Sequence, residues 1–404
     1  MRCILALAAC AALVPAARAA DVDVHGYVDC RLVARAGESG YVDGGLGKTR
    51  FGGGGTDATC LQAAIAASIV LTPALVAHAD LQAQTTGRDE LALLDAWLRY
   101  RPVSTSPLRW SVKVGAFFPP VSLENDAIGW TSPWTLSSSA IDTWVGEELR
   151  GIGTEGGLEW RGERSTVTGV LALVRSNDPA GELLAARGWA ISDLVYGLGS
   201  RVREPDVHAI DDEEPLPLRF NPFLENDGRL GWYAGATWEA RGIGTLALLR
   251  YDNEADPASR SRGASPVLSW HTDFWSVGAR SRVGEVVLLA QAMSGSTAIA
   301  PSPLFSTHTD FRAAYLLAGR DRGAWRPTVR IDAFSTDQLP RSIDGRVREH
   351  GSALTLALNW RPCGWLRVTG EALHVRSWRG ERERAGLPAR RDDTQLQLGL
   401  RMMF

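Results

Sequence analysis

The chain has 404 residues, 43 basic and 46 acidic side chains for a formal net charge of -3, 45% hydrophobic residues and five cysteines. Mild acidity excludes the basic footprint of a nucleic-acid-binding protein, and so few cysteines exclude a disulfide scaffold. Beyond the N-terminus no stretch reaches the ~18 uninterrupted apolar residues of a membrane helix.

Residues 1–19, MRCILALAACAALVPAARA, combine a basic Arg2, an apolar run from Ile4 to Val14 and an Ala17-Arg18-Ala19 cleavage pattern. That is a cleaved secretory signal peptide, too short in its apolar part to span a bilayer. LAAC, ending at Cys10, resembles a lipoprotein cleavage box, but cutting there leaves almost no hydrophobic region before it. Removal of 1–19 leaves 41 basic against 46 acidic residues, net -5, and three cysteines, Cys30, Cys60 and Cys363. The mature chain, 20–404, carries no Pro-rich or Ser-rich linker and is taken as one unit.

From residue 22 onward the chain alternates with a period of two. In VDVHGYVDCRL, Val22, Val24, Val28, Cys30 and Leu32 oppose Asp23, His25, Tyr27, Asp29 and Arg31. Continuing the alternation puts Cys30 and Cys60 on opposite faces, which argues against a bridge. CLQAAIAASIVLTPALVAHADLQ, 60–82, is the longest apolar stretch, and Thr72-Pro73 breaks it into two strands. In LRWSVKVGAFF, Trp110, Val112, Val114, Ala116 and Phe118 oppose Arg109, Ser111, Lys113, Gly115 and Phe117. The second face is too charged for a sandwich core and must meet water.

Such segments recur at about 22–34, 60–72, 75–85, 90–101, 108–118, 154–162, 165–176, 230–240, 243–252, 270–281, 284–295, 308–319, 325–337, 349–361, 365–378 and 392–404. That gives about 16 strands, an even number, each near the length a tilted strand needs to cross a bilayer. Short turns (Thr72-Pro73, Glu163-Arg164, Val283-Gly284, Pro362-Cys363-Gly364) alternate with longer Gly-rich or charged loops. Short turns and both termini therefore lie at one rim and long loops at the other. This describes an all-β fold, a transmembrane antiparallel β-barrel in a Gram-negative outer membrane, in contact with lipid and lipopolysaccharide. Tyr100, Trp110, Phe118, Trp160, Trp232, Trp238 and Trp360 fall on outward faces, as an interfacial aromatic belt requires.

Two connections exceed hairpin length, 119–153 and 177–229. The first carries Glu124, Asp126, Asp142, Glu147 and Glu148 among Trp130, Trp134 and Trp144. Inward faces offer Arg31, His78, Asp80, Asp95, Arg99, Lys113, Arg330 and Glu371 as a lumen wall. Side chains in a water-filled bore set selectivity by width and fixed charge. An acidic loop crossing the bore opposite Lys113 and Arg330 creates a transverse field there.

Catalytic and metal patterns are sparse. His25, His78, His208, His271, His308, His350 and His374 show no HExxH or Cys-His spacing, and no cofactor motif is present. His78 with Asp80, and His25 with Asp29, share an inward face on which a barrel-borne hydrolase is conceivable, but no serine sits in a nucleophile elbow. DDEEP at 211–215 and DNEADP at 252–257 offer ligands for divalent ions at the outer surface, but charge runs in external loops are usually just solvated.

The final strand, TQLQLGLRMMF, alternates back from Phe404 through Met402, Leu400, Leu398 and Leu396. It resembles the terminal signal that outer-membrane barrels present to their assembly machinery. GAFFPPVSLENDAIGWTSPWTLSSSAIDTWVGEELR, NDPAG at 177–181 and PFLENDGRLGWYAGA at 222–236 resemble a group of proteobacterial outer-membrane porin-like proteins, over most of the mature chain. The resemblance implies a passive channel for small hydrophilic solutes or ions, a loop after strand five that folds into the lumen, and a homotrimer. The alternatives are a barrel enzyme and a plugged structural or adhesive barrel sealed by 119–153 and 177–229.

Overall fold

A computed structural model describes residues 21–85, 89–205, 219–262, 266–340 and 346–404. The signal peptide, His208 and the DDEEP run lie outside them. Sixteen strands form one closed antiparallel barrel. They are β1 Asp21–Ala36, β2 Gly55–Thr72, β3 Leu75–Thr85, β4 Asp89–Tyr100, β5 Leu108–Phe117 and β6 Gly151–Arg161. Then come β7 Ser165–Arg175, β8 Gly231–Ala240, β9 Gly244–Asp252, β10 His271–Val283 and β11 Val286–Ser302. Last are β12 Phe305–Arg320, β13 Trp325–Pro340, β14 Val347–Cys363, β15 Leu366–Arg379 and β16 Arg390–Met403. Each of the sixteen alternating stretches corresponds to one of them.

Closure joins β1 to β16, with Tyr27 opposite Met403 and Ala36 opposite Thr394. Beyond the ladder, Phe404 and Gly26 exchange two backbone hydrogen bonds of 3.0 Å. A Cβ on Gly26 would collide with the Phe404 ring, so the seam requires glycine there. The outward row Leu396, Leu398, Leu400 and Met402 is exposed, as are Leu354, Leu356 and Leu358 on β14. A closed sheet satisfies its own backbone groups, which lets that apolar band face hydrocarbon.

Three expectations need correction. Cys30 and Cys60 are bridged. The β1–β2 register slips between Asp29 and Cys30, so that Asp29 faces Gln62 while Cys30 faces Cys60. Leu61 is the extra residue of a bulge, and it turns Cys60 onto the face of Cys30. Phe118 lies past the end of β5 and is buried, its ring stacked 4.0 Å from Trp130, whereas Tyr100, Trp110, Trp160 and Trp360 are exposed. Loop lengths do not segregate strictly either, because β11 and β12 are joined at the long-loop rim by residues 303–304 alone.

The core sits inside the barrel. Trp134, Ile141, Trp144, Val145, Leu149 and Trp189 pack with inward Tyr251, Phe274, Leu289, Phe311, Tyr315, Leu317, Phe334 and Val375. Trp144 is the hub, with ring centroids 5.6 Å from Phe274, 5.1 Å from Phe311 and 6.0 Å from Trp189. The two long insertions thus bring an apolar cluster to large apolar side chains on the inner faces of β9–β13 and β15, which stand among charged ones such as Arg330 and Glu371. Burial of that surface drives the docking.

Candidate functional site: the lumen and its plug

Residues 118–150 lie against the inner wall, and residues 177–204 pack beside them. Helix α1, Ala140–Glu148, is entirely buried, and its N-cap Ser139 accepts a hydrogen bond from the Asp142 amide. The preceding turn is fixed by Glu371, whose carboxylate takes the Leu136 N–H at 2.5 Å and the Ser137 N–H at 3.1 Å. Arg330 anchors it too, donating to Glu124 at 2.6 Å, to the Ser137 carbonyl at 2.7 Å and to the Ser138 carbonyl at 2.9 Å. Its own neighbour Asp332 holds its Nε at 2.9 Å and accepts the Ala140 N–H.

The acidic side chains of 119–153 are engaged with partners, Arg330 among them. Glu124 is paired with Arg330, and Asp126 meets Arg280 at 3.3 Å at an exposed position. Burial, with Glu124 close by, holds the Asp142 carboxyl well above the usual carboxylate range. Glu147 is bonded by the Tyr41 hydroxyl at 3.0 Å and ion-paired with Arg187. Glu148 accepts from the Trp144 indole at 2.5 Å, Leu183 N–H at 3.0 Å and Gly181 N–H at 3.3 Å. The last two amides open helix α2, Glu182–Ala186.

The wall residues divide into two groups. Arg31 is paired with Asp29 at 2.7 Å and with Asp193 of the plug at 2.8 Å. Asp80 and Asp95 face each other in register and receive plug amides, Gly129 N–H at 2.8 Å and Phe118 N–H at 3.2 Å. These, with Arg330 and Glu371, serve as moorings. His78, Arg99 and Lys113 are half-buried near the rim that carries the termini. Lys113 pairs with Glu155 at 2.9 Å rather than with the loop. The His78 ring stacks on Trp97 at 4.7 Å, and Arg99 lies over the same Trp at 5.4 Å. Ser68 Oγ is 2.9 Å from His78 Nδ1, and among the described residues no carboxylate bonds the other ring nitrogen. That pair lacks the orienting acid a nucleophilic serine requires.

Further groups escaped the sequence reading. Lys48, on the β1–β2 loop, is ion-paired with Glu349 and donates to the Arg187 carbonyl at 2.6 Å. Gly188 has φ +71 and passes so close to Glu349 that a Cβ would collide with the carboxylate. The NDPAG and FLEND stretches meet at the long-loop rim, where Asp178 Oδ2 takes the Asn226 N–H at 2.5 Å and Asp178 N–H reaches Leu224 O at 3.2 Å. Asp178, Glu225 and Asp227 bring ligand atoms within 4.8 Å of one another. Each is already used on backbone amides, of Asn226, of Ser176 and Gly228, and of Arg229 and Asp256. One signal for the plug was present in the sequence: VVLLAQAM, 286–293, and AAYLLAG, 313–319, are apolar on both faces.

No family model matches the chain, and no curated protein matches it. Solved structures do. A loop-deletion form of OmpT, an outer membrane protein of Vibrio cholerae, aligns over 96% of this chain and 100% of its own at TM-score 0.54 and 9% identity. The outer membrane channel DcaP of Acinetobacter baumannii aligns over 95% and 97% at TM-score 0.54 and 10% identity. An anion-selective porin from Comamonas acidovorans aligns over 96% and 100% at TM-score 0.51 and 12% identity. By fold, the chain is a closed β-barrel similar to those of outer-membrane porins and channels.

Proposed function

We propose that this barrel is an outer-membrane channel for small hydrophilic solutes or ions, held closed in this conformation by its own insertions. The observation that carries the reading is the way the insertions are held against the wall. The plug is moored to the wall by ion pairs and hydrogen bonds at Arg31, Asp80, Arg330, Glu349 and Glu371, and among the described residues no disulfide ties it there. Below it, His78, Arg99, Lys113 and Glu155 leave a hydrophilic wall toward the rim of the termini. That rim faces the periplasm and the long loops face outward, as in barrels with short periplasmic turns. Similarity to an outer membrane channel and to an anion-selective porin is consistent with conduction, though selectivity belongs to those proteins.

The same reading includes a cleaved leader over 1–19, assembly through the terminal Phe404, contact with lipopolysaccharide, and a homotrimer. The same reading gives the lumen a passive role; Ser68 and His78, its one Ser–His pair among the described residues, have no orienting carboxylate there. A permanently plugged structural barrel is the competing reading, and the apolar packing around Trp144 favours it.

Single-channel recording separates the two. The refolded protein in a planar bilayer is expected to give rare, brief, discrete openings. R187Q, which unpairs Glu147 from residues 177–204, is expected to raise the open probability at least tenfold. If both proteins, shown to be folded and inserted, are silent, the channel reading fails and the plugged barrel stands.

A further inference from the structure

Arg367 is the second residue of β15, close to the rim of the termini. It stands opposite Arg401 on β16, which in turn stands opposite Asp29 on β1. All three side chains point inward and are buried. Asp29 is the only carboxylate in this row, and it is already shared, by Arg401 at 2.9 Å and Arg31 at 2.7 Å. Arg401 also donates to Thr131 at 3.0 Å and lies over the Tyr27 ring at 4.0 Å, while Arg31 takes Asp193 as its second partner.

Nothing comparable is left for Arg367. It is 3% exposed, its Nη1 reaches only the Ser132 carbonyl at 3.5 Å, and its Nε and Nη2 are buried with no partner among the described residues. A buried guanidinium without counter-charge is strongly unfavourable. The unpartnered edge, Nε–H beside Nη2–H, is the one that binds a carboxylate or phosphate through two parallel hydrogen bonds. The turn that reaches it through Ser132 is continued by Trp134, whose ring lies toward Gly319 on β12 and not on the Arg367 fork. Arg326 pins this turn, donating to the Pro133 carbonyl at 3.2 Å with its guanidinium 4.4 Å from the Trp134 ring. Arg361, exposed at the same rim and in no ion pair among the described residues, adds positive potential at the entrance.

We propose that Arg367 is the binding group of a small-oxyanion site between the inner wall of β15–β16 and the turn at 131–134. The ligand is a carboxylate or phosphate-type oxyanion that enters from the rim of the termini. Its charge balances Arg367 and fastens the turn to the wall. This goes beyond the channel reading and does not depend on it, because a sealed barrel offers the same fork.

The test uses the full mature chain, refolded in detergent, with the thermal midpoint followed against inorganic phosphate and, separately, acetate. Chloride at equal ionic strength is the reference. A saturable rise with phosphate alone marks a phosphate-type ligand, and a rise with acetate as well marks the carboxylate class; either supports the site. R367L is expected to abolish the response, and R367K, which keeps the charge but loses the fork, to weaken binding at least tenfold. Should R367L fail to fold, R367K carries the test. No saturable response beyond chloride, or an undiminished response in R367K or R367L, overturns the proposal.

Discussion

Glu148 shows how a titratable side chain can hold the insertions together. Burial outweighs the hydrogen bonds from Leu183 N–H and the Trp144 indole and pushes its carboxyl up to about 8. A folded-state value above that of a free glutamate means the stabilisation is complete below roughly pH 4.3 and is lost as pH rises through the folded value. Residues 177–204 are therefore expected to become more protease-sensitive as pH rises toward about 8 and to level off above it. E148Q should flatten that profile. Limited proteolysis across the range, with an unaffected barrel band as internal control, checks it.

Elements were legible to very different degrees. Strand positions followed from period-two alternation because one face meets lipid and must be apolar, a constraint that acts at every second residue. The bulge at Leu61 was not legible, since one extra residue leaves the surrounding pattern intact on both sides of it. Its consequence is chemical: mature protein should titrate a single thiol, Cys363, and three after reduction and unfolding. C60S is expected to lower unfolding stability by about 3.7 kcal/mol, the entropy of a loop closed across 30 residues, measured by denaturant titration in detergent. Candidate site residues were legible as a face but not as partners. Arg330 was read as a wall residue and Glu124 as a loop residue, and their direct pairing depends on where the loop lands. Period-two reading cannot give that. The apolar inner faces of β11 and β12 could have suggested a filled lumen, because a water-lined wall has no use for Leu289, Phe311 and Leu317.

At the scale of the whole molecule the wall is uneven. β11 and β14 have 17 residues each, whereas β9 has 9. At ~3.3 Å per residue and a tilt of ~40°, these lengths correspond to heights of about 43 Å and 23 Å. The apolar belt of an outer-membrane barrel is about 25 Å tall, so the long strands stand well clear of it on one side. Outward His308, Asp310, Arg348 and His350, all on that raised part, are exposed and polar as its height requires. A peptide tag inserted between Pro303 and Leu304 should be labelled by antibody on intact cells. Labelling only after permeabilisation would reverse the orientation. The short turn at that summit joins two long strands whose pairing shifts by one residue between Ile299 and Ser302, just below it, with only residues 303–304 between them. The raised hairpin is thus a stiff mast at the cell boundary, and large visitors such as a phage fibre or an antibody meet it long before they meet the passage beneath.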